Sequence, residues 1–156
     1  MRVIKLAIIS FVLIFLLITA ISLTIPSKIR ISKATNLAAT REQVFGMVKN
    51  ENNWHRWHPI YSDSAALSDW QAAKKTVVAD TDSTYVLQVQ KDDRKPFITG
   101  WQLYHYAHTD SLTLQWYMDF KLNWYPWEKF STLFYEKTYG VMMEQGLTRL
   151  KEELEN

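Results

Sequence analysis

Four histidines and a scatter of carboxylates are the side chains through which this chain could do acid–base or metal chemistry. His55 and His58 stand three apart and can share a helical face with Glu51. Two imidazoles and a carboxylate in that arrangement can hold a divalent cation. Spacing supplies no further strong ligand, and Pro59 limits the helix, so histidines at the surface or packed on tryptophan are the expected reading. His105 and His108 fall near a strand end beside Asp110 and Ser111. A Ser-His-Asp hydrolase would need those groups to converge, and the Gly-x-Ser-x-Gly turn that lifts a nucleophilic serine is missing. Asp92 and Asp93 read as a hairpin tip. Asp119 and Lys121 read as solvated groups or members of a cross-strand pair. The chain has no cysteine, which excludes thiolate metal sites, disulfides and cysteine nucleophiles. Its four glycines form no phosphate-cradling loop. No catalytic residue, metal or cofactor is expected.

Charge removes another class of partner. The chain carries 18 Lys and Arg against 16 Asp and Glu. Arg2 and Lys5 precede a long apolar run and every acid follows it, so the remainder balances at zero. No basic stripe interleaved with aromatics is present, and a nucleic-acid partner is not expected. The apolar run, Leu6 to Ile25, has no charge and is long enough as a helix, at about 1.5 Å per residue, to cross the roughly 30 Å hydrocarbon layer. The sequence therefore divides into residues 1–26, a membrane anchor, and residues 27–156, one domain. A cleaved secretory signal is the alternative, with Ala20-Ile21-Ser22 as the cleavage site. Arg2 and Lys5 on one side and Lys28, Arg30 and Lys33 on the other leave orientation open by charge. The short N-terminal tail favours an exported domain on a single-pass anchor.

The elements that must position any site follow from periodicity. Lys28 to Leu37 alternates as a first strand. Thr40-Arg41-Glu42-Gln43 fits a capping box, and Val44, Phe45, Met47 and Val48 supply the apolar face of the helix it opens. A short turn or helix with Trp54 and Trp57 follows and ends at Pro59. Strands are expected at 76–79, 85–90, 97–106 and 112–122, joined by turns rich in Asp, Ser and Lys, a pattern of consecutive antiparallel hairpins. Leu112, Leu114, Trp116, Met118, Phe120 and Leu122 share one face at period two, which a helix cannot use. The stretch 65–75 is ambiguous, with a further strand at Leu67–Trp70 as one reading. A short helix is expected over Glu128–Tyr135. A long C-terminal helix follows, with Tyr139, Met143, Leu147, Leu150 and Leu154 along one stripe. Gly140 and Gly146 inside that helix are easiest to explain if it lies close against a curved sheet.

The fold expected is α+β: a curved antiparallel sheet gripping a long C-terminal helix, with two short helices after the first strand. The order of elements, with Thr40-Arg41-Glu42-Gln43-Val44-Phe45, Trp54-His55-Arg56-Trp57-His58-Pro59 and Gly146-Leu147-Thr148-Arg149-Leu150-Lys151, resembles the START-like polyketide cyclase/dehydrase and lipid-transport superfamily, with its helix-grip fold. The resemblance covers roughly Lys28 to the C-terminus. It implies an apolar cavity between the C-terminal helix, the sheet and the short helices. Candidate liners are Trp54, Trp57, Tyr85, Leu87, Trp101, Trp116, Met118, Phe120, Tyr139, Met142 and Met143, any of which could instead be core. Three functions fit: a membrane-tethered, non-catalytic binder of a lipid-like or other apolar small molecule; a protein-interaction or chaperone-cofactor module with a filled core; and a cyclase-like enzyme with a polar dyad inside the pocket. The first is the reading the tether favours. Asn123-Trp124-Tyr125-Pro126-Trp127 is a candidate patch for a protein partner or a cover for the pocket mouth.

Overall fold

The computed structural model describes residues 2–92, 94–105 and 111–155. The apolar run forms helix α1, Arg2–Thr24. It is long and apolar enough to cross a membrane, and 6% of its most apolar window is buried against the rest of the chain. Ser22, near its C-terminal end, is fully buried.

Five strands make one antiparallel sheet: β1 (Lys28–Leu37), β2 (Lys74–Asp80), β3 (Thr84–Gln90), β4 (Phe97–His105) and β5 (Leu112–Lys121), in the order β1-β5-β4-β3-β2. The meander thus closes by laying its last strand beside the first, with Ile31 opposite Met118 and Leu37 opposite Leu112. The period-two stripe of β5 faces inward, and Leu114, Trp116 and Met118 are buried. The outer face of β5 carries the polar alternation with one exception. Tyr117 is buried there because its ring lies over Gly100 of β4, where any Cβ would stand 2.5 Å from it. Arg30 stacks on the same ring at 4.3 Å and pairs with Asp119, its register partner, through two hydrogen bonds of 2.6 and 2.7 Å. The cross-strand reading of Asp119 holds.

Between β1 and β2 lie three helices: α2 (Arg41–Val48), α3 (Trp54–Trp57) and α4 (Ser64–Ala72). Thr40 caps α2 with the reciprocal Gln43 bond expected of a capping box. The strand considered at Leu67–Trp70 is instead part of α4. The Asp63 carboxylate accepts from the backbone N–H of Ala65 (2.9 Å) and Ala66 (3.2 Å), which starts a helix there. Ala66, Leu67 and Trp70 then fall on its inner side.

After β5, α5 (Pro126–Ser131) leads through a 3-10 turn, Thr132–Phe134, and a π turn, Glu136–Gly140, into α6 (Val141–Glu155). Helix α6 buries Met143, Gly146, Leu147 and Leu150. Gly146 explains the close approach: a Cβ there would meet Pro59 at 2.8 Å and Trp116 at 2.9 Å. Gly140 is different, since the atoms nearest its added carbon are those of the Glu136 carboxyl group of its own π turn. Asp92 has φ 50°, a turn conformation that aspartate tolerates, and sits at the β3–β4 tip as read from the sequence. Asp93, Tyr106, His108 and Asp110 lie outside the described residues.

Candidate functional site

A cleft of about 680 Å³ opens between α4, the inner face of the sheet, the β3–β4 turn and the start of α6. The core behind it is aromatic. Trp54 and Trp57 on α3 are both fully buried, and each is fixed by a backbone partner: Trp54 Nε1 donates to the Val48 carbonyl (2.8 Å) and Trp57 Nε1 to that of Met47 (3.2 Å). Between them and the sheet sits His58. Its ring stacks on Trp54 at 4.5 Å and 7° and meets Trp116 at 4.9 Å. Trp116 Nε1 in turn donates to Thr99 Oγ1 at 2.9 Å, which fixes the indole across two strands.

The His58 Nδ1 accepts the Ile60 N–H at 3.2 Å, which assigns the proton of the neutral ring to Nε2. Burial pushes the imidazole down from 6.5 to about 3, because the cage around it cannot solvate a cation. His58 lines the cleft and so presents it with a neutral ring.

The mouth is made by Phe97, Phe120, Tyr135 and Tyr139. Phe120 stands 5.7 Å from Phe97 and 4.9 Å from each tyrosine ring. Burial raises the Tyr139 hydroxyl above its ordinary value; Tyr135 adds to this and Arg94 opposes it. The π turn carries Thr138 and Tyr139 to the wall, a helical irregularity often found at functional sites. Met118 and Met142 add deformable apolar surface. Charged groups ring the opening: Asp63, Asp69, Lys91, Arg94 and Lys95. Lys91 pairs with Asp69, and Lys95 donates to the Asn123 side chain. Arg94 is exposed and has no ion pair among the described residues.

Of the residues singled out from the sequence, Trp116, Met118, Phe120, Tyr139 and Met142 line this cleft. Trp54, Trp57, Tyr85, Leu87, Trp101 and Met143 lie behind it in the core. Trp101 is fully buried and stacks on Trp116 at 5.5 Å, and its Nε1 is the one buried side-chain donor without a partner among the described residues. Sequence reasoning did not place His58 or the charged rim at the site. The rim comes from α4 and the β3–β4 turn, which only the tertiary fold brings together.

The His55–His58–Glu51 arrangement does not form. His55 is exposed with Nδ1 2.6 Å from the Asn52 carbonyl, while Glu51 pairs with Lys75 at 3.0 Å and accepts from Trp70. Among the described residues no cluster of His and carboxylates could hold a metal ion.

Residues 28–155 match the sequence pattern of the family described as polyketide cyclase/dehydrase and lipid transport. The chain belongs to that family. No curated protein matches the sequence. Solved structures agree on the fold. A START superfamily protein from Mycobacterium smegmatis is 17% identical, with a TM-score of 0.55 over 81% of this chain and 97% of its own. An uncharacterised protein from Bacillus thuringiensis is 10% identical, with a TM-score of 0.54 over 82% and 100%. The di-domain ARO/CYC StfQ of the steffimycin biosynthetic pathway is 6% identical, with a TM-score of 0.59 over 82% of this chain and 51% of StfQ. The polyketide cyclase/dehydrase family and the helix-grip fold are therefore those of this chain.

Proposed function

We propose that this protein is a membrane-tethered binding domain that takes an apolar or amphipathic small molecule into the cleft beside His58. Residues 1–26 serve as the anchor and 27–156 as the binding domain. The observation that carries the reading is the cleft itself: about 680 Å³, within the roughly 300–1,000 Å³ of small-molecule sites, walled by aromatics and methionines. Its back is largely aromatic and its rim is charged, so a tail-and-head ligand fits better than a uniformly polar one. Arg94, exposed and without an ion pair among the described residues, gives the rim a contact for an anionic head.

Binding without catalysis is supported by the state of His58. A base that protonates only near pH 3 is poorly matched to proton transfer at neutral pH, and its Nδ1 is held by a backbone amide instead of a carboxylate. Retention of the anchor is supported by the full burial of Ser22, because cleavage near Ala20 would remove a packed turn.

Titration of the full chain in detergent micelles with a fluorescent fatty-acid analogue tests the reading. Met142→Trp fills the cleft and should weaken binding about tenfold or more, equivalent to about 1.4 kcal/mol. Arg94→Glu should weaken an anionic analogue and leave its neutral alcohol unaffected. Equal affinity in wild type and Met142→Trp would remove the cleft as the binding site.

A further inference from the structure

The chain between β5 and the π turn carries a surface of different character. Trp124 and Trp127 are 58% and 66% exposed, and Leu133 and Phe134 are 70% and 67% exposed, within one short stretch of chain. Tyr125 stacks on Trp127 at 4.9 Å and meets Trp124, tilted, at 4.8 Å. Solvent-facing aromatics held in a stack mark an interaction surface.

Where they sit identifies what they meet. Helix α5 packs against α1. Lys129, on α5 and 2% exposed, donates to the Ile25 carbonyl at 2.6 Å and to Ser27 Oγ at 2.9 Å. The ammonium thus satisfies an orphan carbonyl just past the end of the apolar helix, a favourable place for a cation. It also locks the aromatic segment to the point where the chain leaves α1. Asn123 stiffens the same segment by donating its side-chain amide to Glu128 at 2.9 Å.

A second, independent observation gives the charge. Lys28 and Lys121 are register partners at the ends of β1 and β5, both exposed. Like charges directly opposite on a sheet destabilise it, and among the described residues neither lysine has a carboxylate partner. Both line a surface concavity of about 350 Å³ immediately after the apolar helix. Exposed tryptophan with unneutralised lysine beside a membrane span is the composition of an interfacial belt on an anionic leaflet.

We infer that Trp124, Trp127, Leu133 and Phe134 form a foot that inserts into the bilayer interface around the anchor, with Lys28 and Lys121 seated on anionic headgroups. The inference rests on α1 being a retained membrane anchor. The foot also orients the cleft. Tyr135 follows Phe134 directly and lines the mouth, and Lys95 on the rim donates to Asn123 at the start of the foot. A foot in the interface therefore turns the charged rim toward the lipid surface, where an amphiphile enters tail first.

The distribution of tryptophan makes the test direct. Of seven in the chain, Trp54, Trp57, Trp70, Trp101 and Trp116 are buried in the domain, which leaves Trp124 and Trp127. The full chain is reconstituted into vesicles of phosphatidylcholine with brominated acyl chains, with or without phosphatidylglycerol. Flotation with the vesicles and resistance to alkaline extraction read the anchor separately. The expected result is quenching of tryptophan emission in floated protein, with that quenching lost in the Trp124→Phe/Trp127→Phe variant. Phosphatidylglycerol should deepen the quenching in wild type and not in Lys28→Gln/Lys121→Gln. A chain that floats but is not quenched, or is quenched equally in the double-Phe variant, overturns the foot while the anchor stands; the aromatic patch is then free for a protein partner. A chain that does not float removes the anchor and the foot with it. Equal quenching with and without phosphatidylglycerol overturns the headgroup role of the lysines.

Discussion

The His58 imidazole couples the stability of the domain to pH, and replacing it with phenylalanine should uncouple them. Folded, the ring is buried among Trp54, Trp57 and Trp116 and accepts a proton only near pH 3. Unfolded, it returns to about 6.5. Above that value both states hold a neutral ring and the histidine adds no pH dependence. As pH falls below it, the unfolded chain takes up a proton that the folded one refuses, so stability is lost progressively between about 6.5 and about 3. The loss amounts to about 2 kcal/mol at pH 5 and approaches about 5 kcal/mol near pH 3. His58→Phe keeps the stack on Trp54 but leaves the Ile60 N–H without its acceptor, at about 1 kcal/mol near neutral pH. Urea unfolding of the full chain in non-ionic micelles, followed by tryptophan emission from about pH 7.5 to about pH 5, reads both effects. Asp63 and Asp69 remain in both proteins and cancel in the difference. Wild type should be the more stable protein at neutral pH and lose that advantage at pH 5, so that the two curves cross. Curves that stay parallel across the range would refute the assignment of a buried, neutral His58.

Two further comparisons test the packing. Gly146→Ala should destabilise by about 1–3 kcal/mol despite the better helix propensity of alanine, because the methyl must displace the rings of Pro59 and Trp116. Gly46→Ala on α2, where an added Cβ meets nothing within 4 Å, should stabilise by up to about 1 kcal/mol; thermal melts that ranked the pair in the reverse order would contradict the approach of α6 to the sheet. Trp54→Phe should be more damaging than Trp101→Phe by about 1 kcal/mol, since the former strands a carbonyl, that of Val48, by removing its donor, whereas Trp101 Nε1 has no partner to lose among the described residues. Equal losses in chemical denaturation would mean that the indole hydrogen bond of Trp54 contributes nothing.

Much of the architecture was legible because local signals agreed with the tertiary outcome. The alternation of β5 leaves one face for five large apolar residues, Leu112 to Phe120, and the capping box at Thr40 and Gln43 is satisfied within four residues. Helix α4 was hidden because Ala65, Ala66 and Leu67 carry no clear period; its start depends on the Asp63 side chain finding two backbone donors. The site was legible by residue type and not by direction. Trp54 and Trp116 are equally apolar in sequence, yet α3 buries the first behind His58 while β5 turns the second to the cleft. Nor could spacing separate His55 from His58. One is exposed at the surface and the other enclosed, a difference decided by how Pro59 and the following 3-10 turn pack under Gly146.

Native mass spectrometry of the full chain, extracted gently from the membranes of its own host, tests the central claim most directly. A bound apolar molecule in the cleft predicts a discrete added mass that leaves on denaturation, partitions into organic solvent and is absent from Met142→Trp. A bare mass that persists after incubation with host lipid extract, or an adduct retained equally by Met142→Trp, would contradict it.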